Sequence, residues 1–226
     1  MSIVTEHNWH EELDKLKEVL VKNPTLVVDV ETNGLDSYGM NQICGVGVGE
    51  PTPGGLVQYY PFRHHQGNNL SGDSLIYLMH FLDEFVETYI GYNLKFDLHF
   101  LEKEGLNVLD KRLIDVIVMV RLIEHSDIKE LGLTPTGKRN YGDEAVQYDI
   151  DTKKELKANK WNKDFSEAPS DFLGEYCKKD VELTSRIYTD YLKKIEKTQQ
   201  NKIFDLECDL TKVLYKMERR GISIDN

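Results

Sequence analysis

The chain has 226 residues, of which 40% are hydrophobic and 30% are charged, a composition typical of a globular domain. Its formal net charge of −11 argues against a protein that grips nucleic acid mainly through a basic surface, although a metal site built from carboxylates is acidic by necessity. No hydrophobic stretch is long enough to span a bilayer, and the N-terminus lacks the features of a signal peptide. With three scattered cysteines, these features predict a cytoplasmic protein with no membrane partner.

Patterns in the first 61 residues predict one helix followed by three strands. Hydrophobic residues at helical spacing predict the helix over residues 11–22, which Asn23-Pro24 ends. A short β-branched run at 26–30 predicts a central strand that is buried on both faces. Two further strands are predicted at 43–48 and 56–61, on either side of a segment rich in proline and glycine. These three strands are expected to form an antiparallel meander.

The rest of the chain predicts helices that alternate with short strands. After residue 61 we expect strands at 88–92 and 113–114, and helices at 73–87, 95–104 and 116–124. The segment 132–170 is polar and weakly periodic, which predicts short helices and mobile loops. Two long helices follow, at 171–197 and 203–219. The order predicts an α/β fold, a mixed five-stranded sheet of three antiparallel strands and later parallel additions, flanked by helices.

Two acids, Asp29 and Glu31, lie in the predicted central strand. Because side chains alternate along a strand, residues two apart leave it on the same face. Two carboxylates on one face of a buried strand cost free energy unless a cation compensates their charge, and Mg²⁺ accepts such oxygen ligands. The alternative is an edge strand with solvated acids. The preceding run of Leu26, Val27 and Val28 favours the central strand and therefore a metal site.

Two further pairs of polar residues are each four positions apart. Asn93 and Asp97 lie at a strand-to-helix junction and point the same way, although Asn93 is also a candidate helix cap and Asp97 a candidate solvated acid. Tyr176 and Asp180 share one face of a long helix, a pattern that in isolation more often marks a core tyrosine and a surface aspartate. Together with the acids of the central strand, they predict a cluster of four carboxylates and a tyrosine.

This cluster predicts a two-metal site that cleaves phosphodiesters. Two metal ions about 3.5–4 Å apart can activate water and stabilise the leaving oxygen of an in-line displacement. The attacking water needs a group that orients it or accepts its proton, and Tyr176 beside Glu31 is suited to that role.

The three blocks resemble the 3′–5′ exonuclease (proofreading) domain of family A DNA polymerases, the bacterial polymerase I type. The similarity covers about residues 26–197 and rests on the motifs VDVETNGL at 28–35, GYNLKFDL at 91–98 and YCKKD at 176–180. It is closest in pattern to the tyrosine subclass of the Asp-Glu-Asp-Asp exonucleases, since the histidine subclass places histidine where this chain has Glu175. The resemblance implies a ribonuclease H-like fold.

The resemblance also implies roles for individual residues. Asp29 is expected to bridge two divalent ions, which are Mg²⁺ with Mn²⁺ as a substitute. Glu31 and Asp180 would complete the first metal site, Asp97 would serve the second, and Tyr176 would help to position the nucleophilic water. Leu35 would wedge against the terminal base, and Phe96 is equally suited to a core role. The positions that match contacts to the 3′-terminal nucleotide are Thr32, Leu35, Asn93 and Phe96.

The resemblance divides the chain into an exonuclease domain, 1–197, and a segment, 198–226, that is similar to the start of a polymerase thumb and then stops. The implied activity is metal-dependent removal of nucleoside monophosphates from single-stranded or mismatched DNA 3′ ends, and the implied partners are such a 3′ end and a polymerase domain in cis or in trans. The alternatives are an RNA 3′-end exonuclease of the ribonuclease D type and an inactive module that binds DNA ends. The polymerase-like segment at 217–225 and the full set of carboxylates favour the proofreading DNA exonuclease over both alternatives.

Two other sequence patterns do not predict a further binding site. Gly45, Gly47 and Gly49 lack the spacing of a dinucleotide-binding loop, and their common strand face predicts close packing instead. Four histidines have no clustered partner in the sequence and are predicted to be ordinary surface residues: His7, His10, His64 and His65.

Overall fold

Six strands form one mixed sheet in the computed structural model, which describes residues 2–124 and 128–223. The sheet order is β1-β4-β3-β2-β5-β6, with β2 antiparallel to β3, β3 antiparallel to β4, and the β1–β4, β2–β5 and β5–β6 pairs parallel. The five predicted strands and the mixed α/β sheet are confirmed. The strands are β1 (Ser2–Ile3), β2 (Thr25–Thr32), β3 (Ile43–Gly49), β4 (Val57–Pro61), β5 (Thr88–Gly91) and β6 (Arg112–Asp115).

The sixth strand, β1, is an addition that the sequence did not predict. It is only two residues long, which is too short for an alternating pattern to be visible, and it pairs in parallel with β4 at the sheet edge.

Eight α-helices lie in the described part of the chain. They are α1 (Trp9–Lys22), α2 (Gly72–Phe85), α3 (Leu94–Lys103), α4 (Val116–Ile123), α5 (Leu133–Tyr141), α6 (Gln147–Ala158), α7 (Ser170–Lys197) and α8 (Asn201–Arg220). The predicted helices are confirmed to within a few residues. The segment 132–170 is more regular than predicted, since α6 has 12 residues and two short 3₁₀ turns flank it. The hydrophobic pattern of this segment is weak because only a few of its residues are buried, Leu156 among them.

The helices cover both faces of the sheet. One core cluster joins α1, α2 and α3 to residues such as Val28 and Val30 of β2. The second joins α4 and α7 to Val27 of the same strand. Because side chains alternate along a strand, Asp29 and Glu31 share the face of Val27, which α7 covers. The central position of β2 thus places both acids between the sheet and α7.

The three glycines of β3 allow close packing, as predicted, and two of them, Gly47 and Gly49, allow α7 to approach the sheet. A Cβ atom on Gly47 would lie 2.5 Å from Sγ of Cys177, and one on Gly49 would lie 2.7 Å from a methyl of Val181. In the register of the sheet, Gly47 lies opposite Asp29 and Gly45 lies opposite Glu31. The missing side chain of Gly47 therefore leaves room beside Asp29 for Cys177 of α7, and that of Gly45 leaves room beside Glu31 for the ring of Tyr59.

One prediction about the histidines is wrong. His64 is 5% exposed, and its two ring nitrogens lie 2.8 Å from the Tyr59 hydroxyl and 2.9 Å from the carbonyl oxygen of Ala168. Both nitrogens are satisfied within the protein, which explains how an imidazole can be buried at this site. The other three histidines are exposed, as predicted.

Helix α8 packs against α3 through polar contacts. The Tyr215 hydroxyl donates to the carbonyl of Leu98 at 3.3 Å, Arg219 forms an ion pair with Glu102, and Glu218 accepts from Lys95. The boundary between 1–197 and 198–226 remains a prediction, and residues 224–226 of the second segment lie outside the described residues. Across the described ranges, no helix combines the length and hydrophobicity needed to cross a membrane.

A substitution at Gly47 tests the close approach of α7. Gly47→Ala should lower the free energy of unfolding by about 1–3 kcal/mol, because the new methyl group overpacks the space that Cys177 and Val181 occupy. Adding Cys177→Ala removes the sulfur and should restore part of that loss. Gly72→Ala is the control, since no atom lies within 4 Å of its added Cβ. Urea unfolding of the variants measures the effect, and an unchanged midpoint for Gly47→Ala would contradict the packing described.

Candidate active site

Strand β2 presents two acids to α7. Oxygen atoms of Asp29 and Glu31 and Sγ of Cys177 all lie within 4.8 Å of one another. Glu31 is 5% exposed, whereas Asp29 keeps partial exposure. The Cys177 thiol donates to Oδ2 of Asp29 at 3.3 Å. The two acids and the thiol are thus close together, and Asp29 is the more solvent-exposed of the two acids.

The third acid comes from α3. Asp97 is 3% exposed, and its Oδ1 accepts a hydrogen bond of 2.9 Å from the backbone N–H of Val30, the residue between Asp29 and Glu31. That bond ties α3 to β2 and brings Asp97 beside both acids. The possibility of a solvated Asp97 is thereby excluded.

Asn93 lies at the N-cap of α3, but its side chain makes no capping hydrogen bond. Its backbone adopts the left-handed conformation, with φ of 62° and ψ of 43°, which asparagine tolerates better than most residues. The Asn93 N–H donates to Oδ1 of Asp115 at 2.9 Å, and Asp115 also caps α4 by accepting from the N–H of Ile117 at 3.1 Å. Asn93 therefore occupies the N-cap position without forming the side-chain cap that was its alternative role, and Asp115 holds the junction instead.

Helix α7 supplies the fourth acid and the tyrosine. Asp180 is 9% exposed, and its Oδ1 accepts a hydrogen bond of 2.5 Å from the Tyr148 hydroxyl. The Tyr176 hydroxyl donates to Oδ1 of Asp149 at 3.1 Å. Both Tyr148 and Asp149 belong to α6, which therefore contacts the two functional candidates of α7 directly.

The four carboxylates have raised pKa values. Burial is the main cause for each of them, and the negative charges of the neighbouring acids raise the pKa further for Glu31, Asp97 and Asp180. The pKa rises to about 6 for Asp29 and to about 8 for Asp180, and it is well above the usual range for Glu31 and Asp97. The folded protein thus holds these groups in an environment that opposes their negative charge.

This environment fits a divalent cation. No lysine, arginine or histidine of the described residues forms an ion pair with any of the four acids, and the Glu31 carboxylate makes no hydrogen bond to a described residue. A buried carboxylate without a partner is costly. Carboxylate oxygens are the ligands that hard divalent cations take, so a bound cation would both compensate the charge and satisfy Glu31.

Tyr176 keeps its proton at neutral pH. Burial and the nearby charges of Asp180 and Glu31 raise its pKa above the value of a free tyrosine. The side chain therefore acts as a neutral phenol. It donates its one proton to Asp149, which leaves its oxygen free to accept a hydrogen bond.

The four residues expected to contact substrate differ in exposure. Leu35 is 85% exposed in the loop after β2, and Asn93 is exposed at the start of α3. Thr32 is 7% exposed and donates its hydroxyl to the carbonyl of Gly34 at 2.7 Å. The ring of Phe96 is partly buried with its centroid 5.1 Å from that of Phe100, so it belongs in part to the core. Leu35 and Asn93 are the two side chains that solvent reaches most readily.

Sequence reasoning missed the residues that support the cluster. Asp115 had a visible signal, since an acid between a strand and a helix is a typical N-cap. Tyr148 and Asp149 had none, because they lie in the weakly periodic segment and meet α7 only in the folded chain. Cys177 lay within the third motif but was given no role.

The mixed sheet, its helices and the buried acids define the class of ribonuclease H-like exonucleases. A family model described as 3′–5′ exonuclease, that of the exonuclease domain in family A DNA polymerases, matches residues 5–196. The chain belongs to this family.

Relatives of known name are DNA polymerases. The chain is 25% identical over 230 residues to DNA polymerase DpoZ of Acinetobacter phage SH-Ab 15497, covering 89% of this chain and 32% of that protein. It is 25% identical over 215 residues to DNA polymerase I of Borreliella burgdorferi, covering 95% of this chain and 22% of that protein. The chain thus spans less than a third of the length of these curated relatives.

A solved structure shows the same fold. NrnC of Brucella melitensis aligns with a TM-score of 0.59 and 14% identity, over 90% of this chain and 89% of NrnC. At that level of identity the likeness concerns the fold alone, and it confirms the ribonuclease H-like architecture.

The raised pKa values predict how pH changes the stability of the metal-free protein. A carboxyl group whose pKa is higher in the folded state stabilises the fold while it is protonated, and that contribution is lost as pH rises from about 4 to about 8. In EDTA, the wild-type protein should therefore be less stable at pH 8 than at pH 5. A divalent cation should restore most stability at pH 8, where the acids are ionised.

Asp180→Asn isolates one of these groups. In EDTA at pH 8 this variant should be more stable than the wild type by about 1–3 kcal/mol, and in the presence of a divalent cation the order should reverse. The exposed Asp14 supplies the control, because Asp14→Asn should change stability by less than about 0.5 kcal/mol. Urea unfolding at both pH values measures the difference, and a wild type that gains stability with pH in EDTA would contradict the account.

Proposed function

We propose that this chain is a 3′–5′ exodeoxyribonuclease of the proofreading type, which removes nucleoside monophosphates from single-stranded or mismatched DNA 3′ ends with two bound Mg²⁺ ions. Mn²⁺ is expected to substitute. The observation that carries the proposal is the convergence of four carboxylates with raised pKa values and no partner cation among the described residues. Membership of the 3′–5′ exonuclease family supports the same direction and class of reaction.

The carboxylates divide naturally between two ions. Asp29 would contribute to both, because its charge acts on each of the other three acids and it keeps partial exposure. Glu31 and Asp180 would hold the first ion with it, and Asp97 would serve the second. Bound divalent ions of this kind supply an activated water and stabilise the leaving oxygen.

The protein side chains would orient the reacting groups. Tyr176 donates its proton to Asp149, so the Tyr176 oxygen can accept a hydrogen bond from the attacking water. That hydrogen bond would orient the water so that its lone pair points at the phosphorus. Its raised pKa makes it a poor candidate for a base, and the proposal assigns it positioning alone. Glu31, whose carboxylate accepts no hydrogen bond from a described residue and whose charge acts on Tyr176, is the proposed proton acceptor.

The proposed substrate contacts lie in the loop after β2 and at the start of α3. Leu35 of this loop would press against the terminal base, and Thr32, the less exposed last residue of β2, would contact the same nucleotide. Asn93 and Phe96 would complete the pocket for the terminal nucleotide. Such contacts use apolar surface rather than base edges, which predicts little sequence preference.

DNA is favoured over RNA as substrate because the relatives that match most of this chain are DNA polymerases. A polymerase domain, in cis or in trans, is accordingly the proposed partner. The activity of an RNA 3′-end exonuclease remains the second candidate, since the fold alone serves both. An inactive end-binding module is disfavoured because the acids lie together and none is missing.

Asp29→Ala tests the metal centre. The rate of hydrolysis should fall at least about 10³-fold, because the variant lacks the ligand common to both proposed ions. The variant should remain folded, because removing one carboxylate reduces the repulsion among the buried acids. Asp14→Ala, on the surface of α1, is the control and should retain wild-type rates. Release of nucleotides from a labelled oligonucleotide in Mg²⁺ measures the activity. Near wild-type hydrolysis by Asp29→Ala would show that the site has been misassigned.

The form of the DNA end gives a second test. A duplex end must fray before one phosphodiester reaches buried acids, and unpairing costs a few kcal/mol but least at a mismatch. Single-stranded 3′ ends should therefore be cleaved fastest, mismatched ends next and paired ends slowest, in a time course on DNA of one sequence. An RNA strand of the same sequence should be cleaved more slowly than the DNA. Equal rates on all three DNA ends, or cleavage from the 5′ end, would contradict the proposal of a proofreading exonuclease.

A further inference from the structure

Helix α6 and helix α7 exchange two hydrogen bonds of the same kind beside the four acids. Tyr148 of α6 donates to Asp180 of α7 at 2.5 Å, and Tyr176 of α7 donates to Asp149 of α6 at 3.1 Å. The two tyrosine rings lie side by side with centroids 6.1 Å apart. Each helix thus gives one donor and one acceptor, so the position of α6 is coupled to both functional candidates of α7.

We propose that Tyr148 and Asp149 are positioning residues of the exonuclease site, with Tyr148 fixing the carboxylate of Asp180 for metal binding and Asp149 fixing the hydroxyl of Tyr176 for the attacking water. The inference rests on the proposed function and deepens it. It assigns a role to a helix in the segment 132–170, for which the sequence predicted only short helices and mobile loops.

Tyr148 is well placed to orient Asp180 without neutralising it. Its hydroxyl occupies Oδ1, which leaves Oδ2 and the remaining lone pairs for a cation. A phenol also carries no charge, so the negative charge of the carboxylate stays available to the metal. Hydrogen bonds that orient metal-ligating carboxylates are typically worth about 10- to 100-fold in metal affinity.

Asp149 determines which way the Tyr176 hydroxyl points. It is 3% exposed, and its second oxygen, Oδ2, accepts from the Thr134 hydroxyl and from Lys153, each at 2.8 Å. These two donors hold the carboxylate, so Oδ1 presents a fixed acceptor to Tyr176. A phenol has one proton, and donating it to Asp149 turns the oxygen lone pairs toward the other acids.

The chain supplies a matched control. Tyr141 of α5 donates to Asp190 of α7 at 2.9 Å, which is the same kind of bond between α7 and a neighbouring helix. Asp190 lies ten residues beyond Asp180, or about 15 Å along the helix axis. Tyr141→Phe therefore removes an equivalent bond far from the acids.

Tyr148→Phe tests the first half of the proposal. The ring of Tyr148 also lines two surface clefts of about 590 and 480 Å³, and phenylalanine keeps those walls while removing only the hydroxyl. Isothermal titration of the protein with Mn²⁺ should show affinity weakened about 10- to 100-fold, with wild-type affinity in Tyr141→Phe. Hydrolysis lost by Tyr148→Phe at low Mg²⁺ should be largely restored by raising the Mg²⁺ concentration. Wild-type Mn²⁺ affinity in Tyr148→Phe would overturn this half.

Asp149→Ala tests the second half through a double-mutant cycle. Tyr176→Phe should slow turnover about 10²–10⁴-fold with little change in Mn²⁺ affinity. Asp149→Ala should slow turnover at least tenfold, and adding it to Tyr176→Phe should cost no more than about twofold further, because Asp149 acts through the hydroxyl already removed. Independent, multiplying losses would overturn this half. If circular dichroism shows that Asp149→Ala does not fold, Asp149→Leu, which has a similar shape and cannot accept a hydrogen bond, takes its place in the same cycle.

The titration also separates this inference from the proposed function. A wild-type protein that neither binds Mn²⁺ nor cleaves DNA would overturn both. A wild-type protein that does both, together with wild-type affinity in Tyr148→Phe, would overturn only the role of α6.

Discussion

Four carboxylates lie together beside the central strand, and the rest of the structure is arranged so that they can. Burial raises the pKa of all four, and the charges of neighbouring acids add to it for Glu31, Asp97 and Asp180, so the ionised cluster is unfavourable without a compensating cation. Gly47 of β3, opposite Asp29, lets α7 come close enough to add Asp180. The bond from Val30 N–H to Asp97 attaches α3 to the same point. Strands β2 and β3 and helices α3 and α7 therefore all help to bring the four carboxylates together.

The groups that support these acids are neutral. The hydrogen-bond donors to Asp97, Asp29 and Asp180 are a backbone amide, a thiol and a phenol. A lysine or arginine in any of these positions would cancel part of the charge and compete with a metal ion. Neutral donors fix the direction of each carboxylate while leaving its charge uncompensated. The arrangement also reconciles a net charge of −11 with a phosphate-binding role, because the positive potential would come from the bound ions.

The sequence predicted the parts of the site that depend on local spacing. Asp29 and Glu31 are two apart on a strand, and Tyr176 and Asp180 are four apart on a helix, so their shared faces follow from periodicity. The five main strands and the long helices were predicted for the same reason. The resemblance to the exonuclease family supplied the order of the motifs.

What the sequence could not predict depends on contacts between distant segments. The pairing of α6 with α7 joins residues 27 to 32 positions apart through two side-chain bonds that leave no periodic trace. Burial of His64 depends on the carbonyl of Ala168, which is 104 residues away. The side-chain cap considered as an alternative for Asn93 does not form, and Asp115 accepts from the Asn93 N–H at this junction instead. The pairing of α6 with α7 and the burial of His64 are tertiary effects, and a single sequence contains no local signal for them.

The most direct test of the account is to locate bound metal by anomalous X-ray scattering from crystals of the protein grown with Mn²⁺. We expect two peaks about 3.5–4 Å apart. The peaks should contact Asp29, Glu31, Asp97 and Asp180, with Asp29 between them. No peak among these carboxylates, or Mn²⁺ bound only to other acids, would contradict the central claim that the buried cluster exists to hold divalent cations.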